Sequence, residues 1–288
     1  MNSDEDLAVE FGAIRPRLVG VAYGLLGSLD EAEDVVQDAW FRLGRADRVE
    51  IQDVTGWLVV TVSRLALDVL RSARVRREEY VGPWLPEPVV TGADPADRVT
   101  LAESLSMAML VVLESLSPAE RTAFVLHDVF GATFDEVAQA VGRSPAACRQ
   151  LAARARKHVS ARTPRFGVDA DEHRRVVEAF ARANVGDAID TLLALLDPDV
   201  VLRSDGGGLA RAARRPIHGA DRVARFLIGV AGRYGVAGRF DSTTVNGRPG
   251  LLRFHRGRLK GVYGLTVADS RITEIFVVMN PQKLRSVR

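Results

Sequence analysis

SPAERTAFVLHDVFGATFDEVAQAVGRSPAACRQLAARARKHV, residues 117–159, carries three helix starts in succession. Ser117, with Pro118 next and Glu120 three on, forms a capping box with proline at the first helical position. Thr133 with Glu136 forms a second box, and Ser144 with Pro145 repeats the cap-plus-proline signal without a glutamate. Between the last two starts lies a short helix with Phe134, Val137, Ala138 and Val141 on its apolar face, closed by a turn at Gly142. That is a helix-turn-helix pattern. In the third helix Cys148, Leu151, Ala152, Ala155 and Val159 recur at helical spacing and are expected to face inward. The opposite face carries Arg149, Gln150, Arg154 and Lys157, with Arg143 just ahead of the Ser144 cap. Such residues contact phosphates or base edges when a helix lies in a major groove. Spacing alone leaves open a solvated basic helix in an ordinary bundle.

The stretch also resembles region 4 of bacterial sigma factors, the module that reads the upstream (−35) promoter element. The matching pieces are LSPAER at residues 116–121, the FDEVAQAVGRSPAACRQ core and the RAR of residues 154–156. The resemblance implies −35 contacts from Arg143, Ser144, Arg149, Gln150, Arg154 and Lys157.

The whole chain has 288 residues, a length that suits two or three domains, and its 47% hydrophobic and 26% charged content describes a soluble protein able to build cores. The net charge of +2 hides local asymmetry, because arginines cluster over residues 64–77 and 143–165. For nucleic acid such patches matter more than the sum. The single cysteine, Cys148, excludes an internal disulfide framework and a multi-thiolate zinc site. At an inward helical position it reads as a small core residue. An acidic N-terminus without an apolar signal core, and the lack of any long apolar run, point to a cytoplasmic protein.

Residues 11–26 read as an amphipathic helix with Ile14, Leu18, Val21, Ala22 and Leu25 on one stripe and Pro16 in its first turn. Gly27 ends it; Ser28 with Glu31 caps the next helix, DEAEDVVQDAWFRL, which turns Ala32, Val35, Val36, Ala39, Trp40 and Leu43 inward. Asp34, Gln37 and Asp38 are left on the polar face, near acids that complement the helix dipole. A polar loop over 44–56 leads to a long helix over 57–77, expected to bury Leu58, Thr61, Leu65, Val69 and neighbours on one side. Arg64, Arg71, Arg74, Arg76 and Arg77 make that helix basic. EAEDVVQDAWFRL resembles sigma region 2.2, which implies docking of Asp34, Gln37 and Asp38 on the polymerase β′ clamp helices. The basic helix resembles regions 2.3 and 2.4, which hold the melted −10 element. Trp57 and the five arginines would then stack on or bind the separated strand, although Trp57 at a helix start also suits the core.

Residues 80–97, YVGPWLPEPVVTGADPAD, are dense in proline and glycine and read as an extended linker. Trp84 and Leu85 give it an apolar anchor, for docking or for packing on the helical domain before it. After residue 165 the pattern changes to helices over 171–184 and 188–196, a strand over 200–204, a Gly-rich turn at Gly206, Gly207 and Gly208, and a helix over 221–234. Alternating runs follow over 239–245, 250–256, 259–267 and 271–279, with turns at Asn246-Gly247, Arg256-Gly257 and Asp269-Ser270. Helices followed by a curling antiparallel sheet make an α+β arrangement. Asp205, His218, His255 and Tyr263 are the acid–base candidates there. The Gly-rich turn lacks the lysine and the strand–glycine–helix context of a phosphate loop.

This part resembles the SnoaL-like cone carried by a subgroup of extracytoplasmic-function sigma factors. WLPEP at residues 84–88, DGGG at 205–208 and NPQKL at 280–284 match motifs of that subgroup, as does the lack of a region 3 domain. The subgroup has lysine where this chain has Leu209 and aspartate where it has Gln282. The expected fold is therefore multidomain: two all-α helical domains over residues 1–79 (region 2) and 101–165 (region 4), an extended linker over 80–100, and an α+β SnoaL-like cone over 166–288. The resemblance implies a promoter-specificity subunit and not an enzyme, without cofactor, metal or membrane. Its partners would be core RNA polymerase (β′ clamp helices and β flap) and promoter DNA, and the cone leaves room for a small-molecule ligand. A regulatory contact is expected between Trp84 and Leu85 of the linker, Asp205 to Gly208 of the turn, and Asn280, Pro281, Lys283 and Leu284 of the tail. Two rival readings are a ligand-responsive helix-turn-helix regulator and a SnoaL-type enzyme with attached DNA-binding helices.

Overall fold

A computed structural model describes residues 4–47, 51–91, 105–161, 169–185, 189–234 and 238–287. The chain divides into two compact units, the first of Met1–Glu78, Ala96–Leu105 and Met109–Thr163, the second of Glu79–Pro95, Ser106–Ala108 and Pro164–Arg288.

In the first unit, α1 (Asp4–Leu26) starts earlier than expected, and Pro16 stands inside it and not in its first turn. The added turns bury Leu7, which extends the stripe of Ile14, Leu18, Val21, Ala22 and Leu25. Ser28 caps α2 (Leu29–Arg45) by accepting from the Glu31 amide, and Ala32, Val35, Val36, Ala39 and Leu43 are buried. Trp40 is half-buried, its ring centroid 4.5 Å from that of Phe11. α3 (Val54–Glu78) opens before Trp57, with the Gly56 amide donating to Asp53 Oδ1 at 3.0 Å. Along it Leu58, Val59, Val60, Val62, Ser63, Ala66, Leu67, Leu70 and Ala73 are buried; Thr61, Leu65 and Val69 are only half-buried. The run LVVTV at 58–62 is apolar all round the helix, so periodicity leaves the phase of the buried face undetermined.

The rest of this unit holds α4 (Met107–Leu113) from Met109 on, α5 (Pro118–Phe124), a π-helical turn (Val125–Val129), α6 (Phe134–Val141) and α7 (Pro145–Ser160). Both capping boxes are made: Ser117 with Glu120 and Thr133 with Glu136 exchange side-chain and backbone hydrogen bonds. Ser144 accepts from the Ala147 amide. Each such cap is worth about 1 kcal/mol. Gly142 ends α6 in the left-handed region at φ 72°, the conformation glycine adopts without a Cβ penalty. α6 buries Val137, Ala140 and Val141, with Ala140 in the place expected of Ala138. On α1, Gly20 and Gly24 admit a close neighbour: a Cβ at Gly24 would lie 2.8 Å from Leu105 and 3.0 Å from Val125.

The second unit is α+β. Three helices, α8 (Ala170–Val185), α9 (Ile189–Leu195) and α10 (Ala220–Tyr234), accompany a seven-stranded sheet. The strands are β1 (Val90–Thr91), β2 (Leu196–Asp205), β3 (Ile217–His218), β4 (Gly238–Val245), β5 (Arg248–His255), β6 (Arg258–Ala268) and β7 (Arg271–Val278), in the order β1-β4-β5-β6-β7-β2-β3. β2 runs parallel to β7, so the sheet is mixed and not wholly antiparallel. The hairpins turn where the sequence places them. Asn246, Gly247, Arg256, Gly257, Asp269 and Ser270 all have positive φ, the two-residue turns that match strand twist.

Side chains alternate between the two sheet faces. Leu251, Tyr263, Leu265, Ile275, Val277 and Leu202 share the face buried against Val177 and Phe180 of α8 and Val223 and Leu227 of α10. Over its described residues, 80–91, the expected linker is not simply solvated: Leu85, Val89 and Val90 are buried, and Val90 pairs with Val245 at the sheet edge. Burying these apolar side chains removes them from water at about 25 cal/mol per Å², which accounts for the described part of the segment joining the second unit.

Candidate functional site

The outward face of α7 is built from its inward one. Cys148, Leu151, Ala152, Ala155 and Val159 are all buried, which fixes the helix rotation. Arg143, Ser144, Arg149, Gln150, Arg154 and Lys157 are left exposed. Burial pushes the Cys148 thiol up, opposed by the Arg143 cation. The Arg149 guanidinium lies 5.3 Å from the Phe134 ring centroid, and Arg154 Nε donates to Glu120 Oε1 at 3.0 Å. Glu120 thus serves both the Ser117 cap and Arg154. Its carboxyl is held below the usual range, first by the Ser117 hydroxyl. Arg156, of the RAR triplet, pairs with Asp128 at 2.7 Å.

The basic residues of α3 do not share one environment. Arg64 Nε donates to the Gln139 carbonyl of α6 at 3.0 Å, and Arg71 pairs with Asp68 at 3.1 Å on an exposed face. Arg77 points inward, donating to the Leu26 carbonyl at 2.6 Å and to Glu114. Glu114 also takes Arg121, whose side chain is almost wholly buried and whose Nε donates to the Gly24 carbonyl at 3.1 Å. Burial lowers the Arg77 guanidinium, against the opposing pull of Glu114. Trp57 is half-buried in the first turn of α3. The side chains of Arg74 and Arg76 lie outside the described ones.

On α2, Asp34, Gln37 and Asp38 are exposed, and Asp38 pairs with Arg42 at 3.2 Å. Phe41, 53% exposed, continues their stripe. Its offsets of seven, four and three residues from Asp34, Gln37 and Asp38 are the signal in the sequence that singles it out.

In the second unit the three motif segments meet at Asp205. This carboxylate is fully buried, and four donors converge on it: Tyr80 Oη at 2.6 Å, the Leu85 amide at 2.9 Å, the Gly207 amide at 3.0 Å and Lys283 Nζ at 2.7 Å. Lys283 also donates to the Leu85 carbonyl, and its ammonium lies 4.1 Å from the Trp84 ring centroid and 5.2 Å from that of Tyr80. Asn280 Nδ2 donates to Tyr80 Oη at 2.9 Å, and Ser286 to Glu87 at 2.9 Å. Burial and the Asp205 hydrogen bond raise the Tyr80 phenol well above its ordinary value. A Cβ on Gly207 would lie 2.3 Å from Asn280 Nδ2, so the turn admits only glycine there. The two residues that depart from the subgroup stand apart from the cluster. Leu209 is 62% exposed, and the Gln282 amide bonds to Asn280 Oδ1 while its side chain faces out. Pro281 is exposed and Leu284 half-buried. Tyr80, Glu87 and Asn246, which bonds both backbone groups of Val89, were not foreseen.

The acid–base candidates do not gather. Asp205 pairs in register with Val278 and Tyr263 with Val277, so the two point to opposite faces of the sheet. His218 is exposed on β3, and His255 ends β5 on the strand face that carries Arg253, which donates to Tyr263 Oη at 3.3 Å. Among the described residues no group of three or more His, Cys, Asp or Glu could hold a metal ion, and no helix is long and apolar enough to cross a membrane.

Comparison with known proteins agrees with this geometry. The Sigma-70 region 2 family matches residues 11–76 and the Sigma-70, region 4 family residues 106–159. The ECF RNA polymerase sigma factor SigJ of Mycobacterium tuberculosis is 44% identical over 95% of this chain and 92% of its own. The probable ECF RNA polymerase sigma factor SigI of the same species is 36% identical over 100% of this chain and 98% of its own. The crystal structure of SigJ superposes with a TM-score of 0.79 at 40% identity, covering 97% of this chain and 98% of that one. Two sigma modules in order, and similarity along the full length, show that this chain belongs to the extracytoplasmic-function sigma factors, which direct RNA polymerase to promoters.

Proposed function

We propose that the chain docks on core RNA polymerase through Asp34, Gln37 and Asp38 of α2, with region 2 over residues 1–79. Region 4, over 101–165, reads the −35 element through Arg143, Ser144, Arg149, Gln150, Arg154 and Lys157. Arg71, with Trp57, Arg64, Arg74, Arg76 and Arg77, serves the −10 strand, and Arg64 and Arg77 would first have to leave Gln139 and Glu114. The C-terminal unit, a SnoaL-like domain by its order of helices and strands, modulates this activity through the Asp205 cluster. The observation that supports modulation is the convergence of linker, turn and tail on one buried carboxylate. A buried ion pair adds little net stability over apolar packing, so its retention suits a positioning or switching role. A small-molecule ligand would have Arg253 and Tyr263 as its polar partners, since these lie on the face that the helices cover. The opposed directions of Asp205 and Tyr263 weigh against a SnoaL-type enzyme, and the acidic α2 stripe weighs against a free-standing regulator. Run-off transcription with purified core polymerase, comparing the parent with Lys283→Met, tests modulation. An altered yield with unchanged core binding supports it, and identical yields overturn it.

A further inference from the structure

The loop between β2 and β3 carries a charge that no function so far described uses. From Gly206 to Ala220 the sequence holds Arg211, Arg214 and Arg215 and no acidic residue. All three arginines are exposed. Three other exposed arginines of this unit hold a carboxylate: Arg174 on Asp171 at 2.7 Å, Arg225 on Asp221 at 2.9 Å and Arg239 on Asp241 at 2.8 Å. Among the described residues no ion pair joins Arg211, Arg214 or Arg215. Of the two acids that flank the loop along the chain, Asp205 is buried and committed to Lys283, and Asp221 holds Arg225.

The loop is also held in shape. Leu209 and Ala210 both donate their amides to the Gly206 carbonyl at 2.9 Å. Ser204, buried in β2, accepts from the Ala213 amide at 2.9 Å and donates back to the Ala213 carbonyl at 3.5 Å. Past Pro216 the chain is fixed again, where His218 pairs with Val201. Arg214 and Arg215 thus leave a segment clamped just before and just after them, so little further backbone ordering is needed when they bind.

We infer that Arg211, Arg214 and Arg215 bind the phosphate backbone of the promoter DNA that the same chain reads with α7. Guanidinium groups match phosphate oxygens bidentately. The segment between Gly206 and Gly219 has no Phe, Tyr or Trp to stack on bases, and the cations it presents are arginines, so the contact is with phosphates and carries no base preference. Once the helix-turn-helix is on DNA, phosphates meet this loop at the high effective concentration of a tethered site. The inference rests on the promoter-reading role of α7.

The test measures promoter affinity of the full-length holoenzyme across a salt series. Each phosphate contact contributes about 0.9 to the slope of log affinity against log salt. Changing Arg211, Arg214 and Arg215 together to glutamine should lower the slope by about 2–3 and leave base preference in a promoter library unchanged. The corresponding lysine triple should keep the parental slope. If the glutamine triple fails to fold, Arg214→Gln alone should lower the slope by about 0.9. A folded glutamine variant with the parental slope overturns the inference. So does that slope combined with a loss of sedimentation on phosphatidylserine vesicles, which would assign the loop to an anionic lipid surface. Failure of the parent holoenzyme to prefer promoter DNA would instead overturn the reading of α7.

Discussion

Lys283 and Asp205, 78 residues apart in sequence, meet as a buried ion pair at 2.7 Å with the Trp84 ring stacked against the ammonium. Asp205→Ala removes the carboxylate that faces that cation and accepts from the Tyr80 hydroxyl and two backbone amides. Removing one partner of a buried pair costs about 3–5 kcal/mol. The expected outcome is a fall of that order in the denaturant stability of the second unit, followed through Trp84 fluorescence. Lys283→Met added to Asp205→Ala should cost little more, because the two residues act through one contact. Fully additive losses would contradict the shared cluster.

Transcription should show the same coupling. Trp84→Ala and deletion of residues 280–288 each remove one side of the cluster, so each should change run-off yield without abolishing core binding. Together they should do little more than either alone. Additive changes in a transcription assay would mean that linker and tail act separately.

On α7, Arg149→Ala or Gln150→Ala should shift base preference at the −35 element. A bidentate hydrogen-bonded pair between side chain and base is worth about 1–3 kcal/mol, the loss expected from each substitution if the proposed base contact is made. Lys157→Ala should weaken binding without changing preference. Selection from a promoter library distinguishes the two behaviours, and unchanged preference in both the Arg149 and Gln150 variants would overturn the groove-docking assignment.

Phe41 extends the exposed α2 stripe of Asp34, Gln37 and Asp38, proposed to dock on core polymerase, with an aromatic side chain. Phe41→Ser should weaken core polymerase binding about as much as Gln37→Ala and leave thermal stability unchanged, since the side chain is mostly in solvent already. A pull-down against purified core polymerase together with a melting curve reads both. Full core binding by Phe41→Ser would confine docking to the polar residues.

His173 is 4% exposed, and burial, with the Arg248 cation, lowers its pKa from 6.5, against a hydrogen bond to Leu265. The folded state therefore binds its proton less readily than the unfolded state. The associated stability is present above pH 6.5 and lost as the pH falls toward the lowered value. Replacing it in His173→Gln should flatten the acid side of the stability–pH profile. An unchanged acid limb in the variant would remove His173 as a contributor.

Local signals in the sequence translate well where one turn of helix decides the matter. The Ser117, Thr133 and Ser144 caps and the buried face of α7 depend on neighbours within four residues, and all are legible. α3 is harder, because the all-round apolar run at 58–62 leaves its phase open and the choice of Val62 and Ala66 over Thr61 and Leu65 comes from tertiary packing. Pro16 reads locally as a helix start, although burial of Leu7 carries α1 past it. The parallel pairing of β2 with β7 has no local signature. The Asp205 cluster is legible only as three motifs; Tyr80, 125 residues away, gives no sign of its part in it. Arg64 and Arg77 look like free cations along the sequence, and only long-range packing supplies Gln139 and Glu114.

The most direct measurement is run-off transcription by purified core polymerase with this protein on a promoter library. Initiation is expected from a restricted set of promoters sharing −35 and −10 elements, with the −35 preference altered by Arg149→Ala. Initiation no more selective than that of core polymerase alone would contradict this expectation.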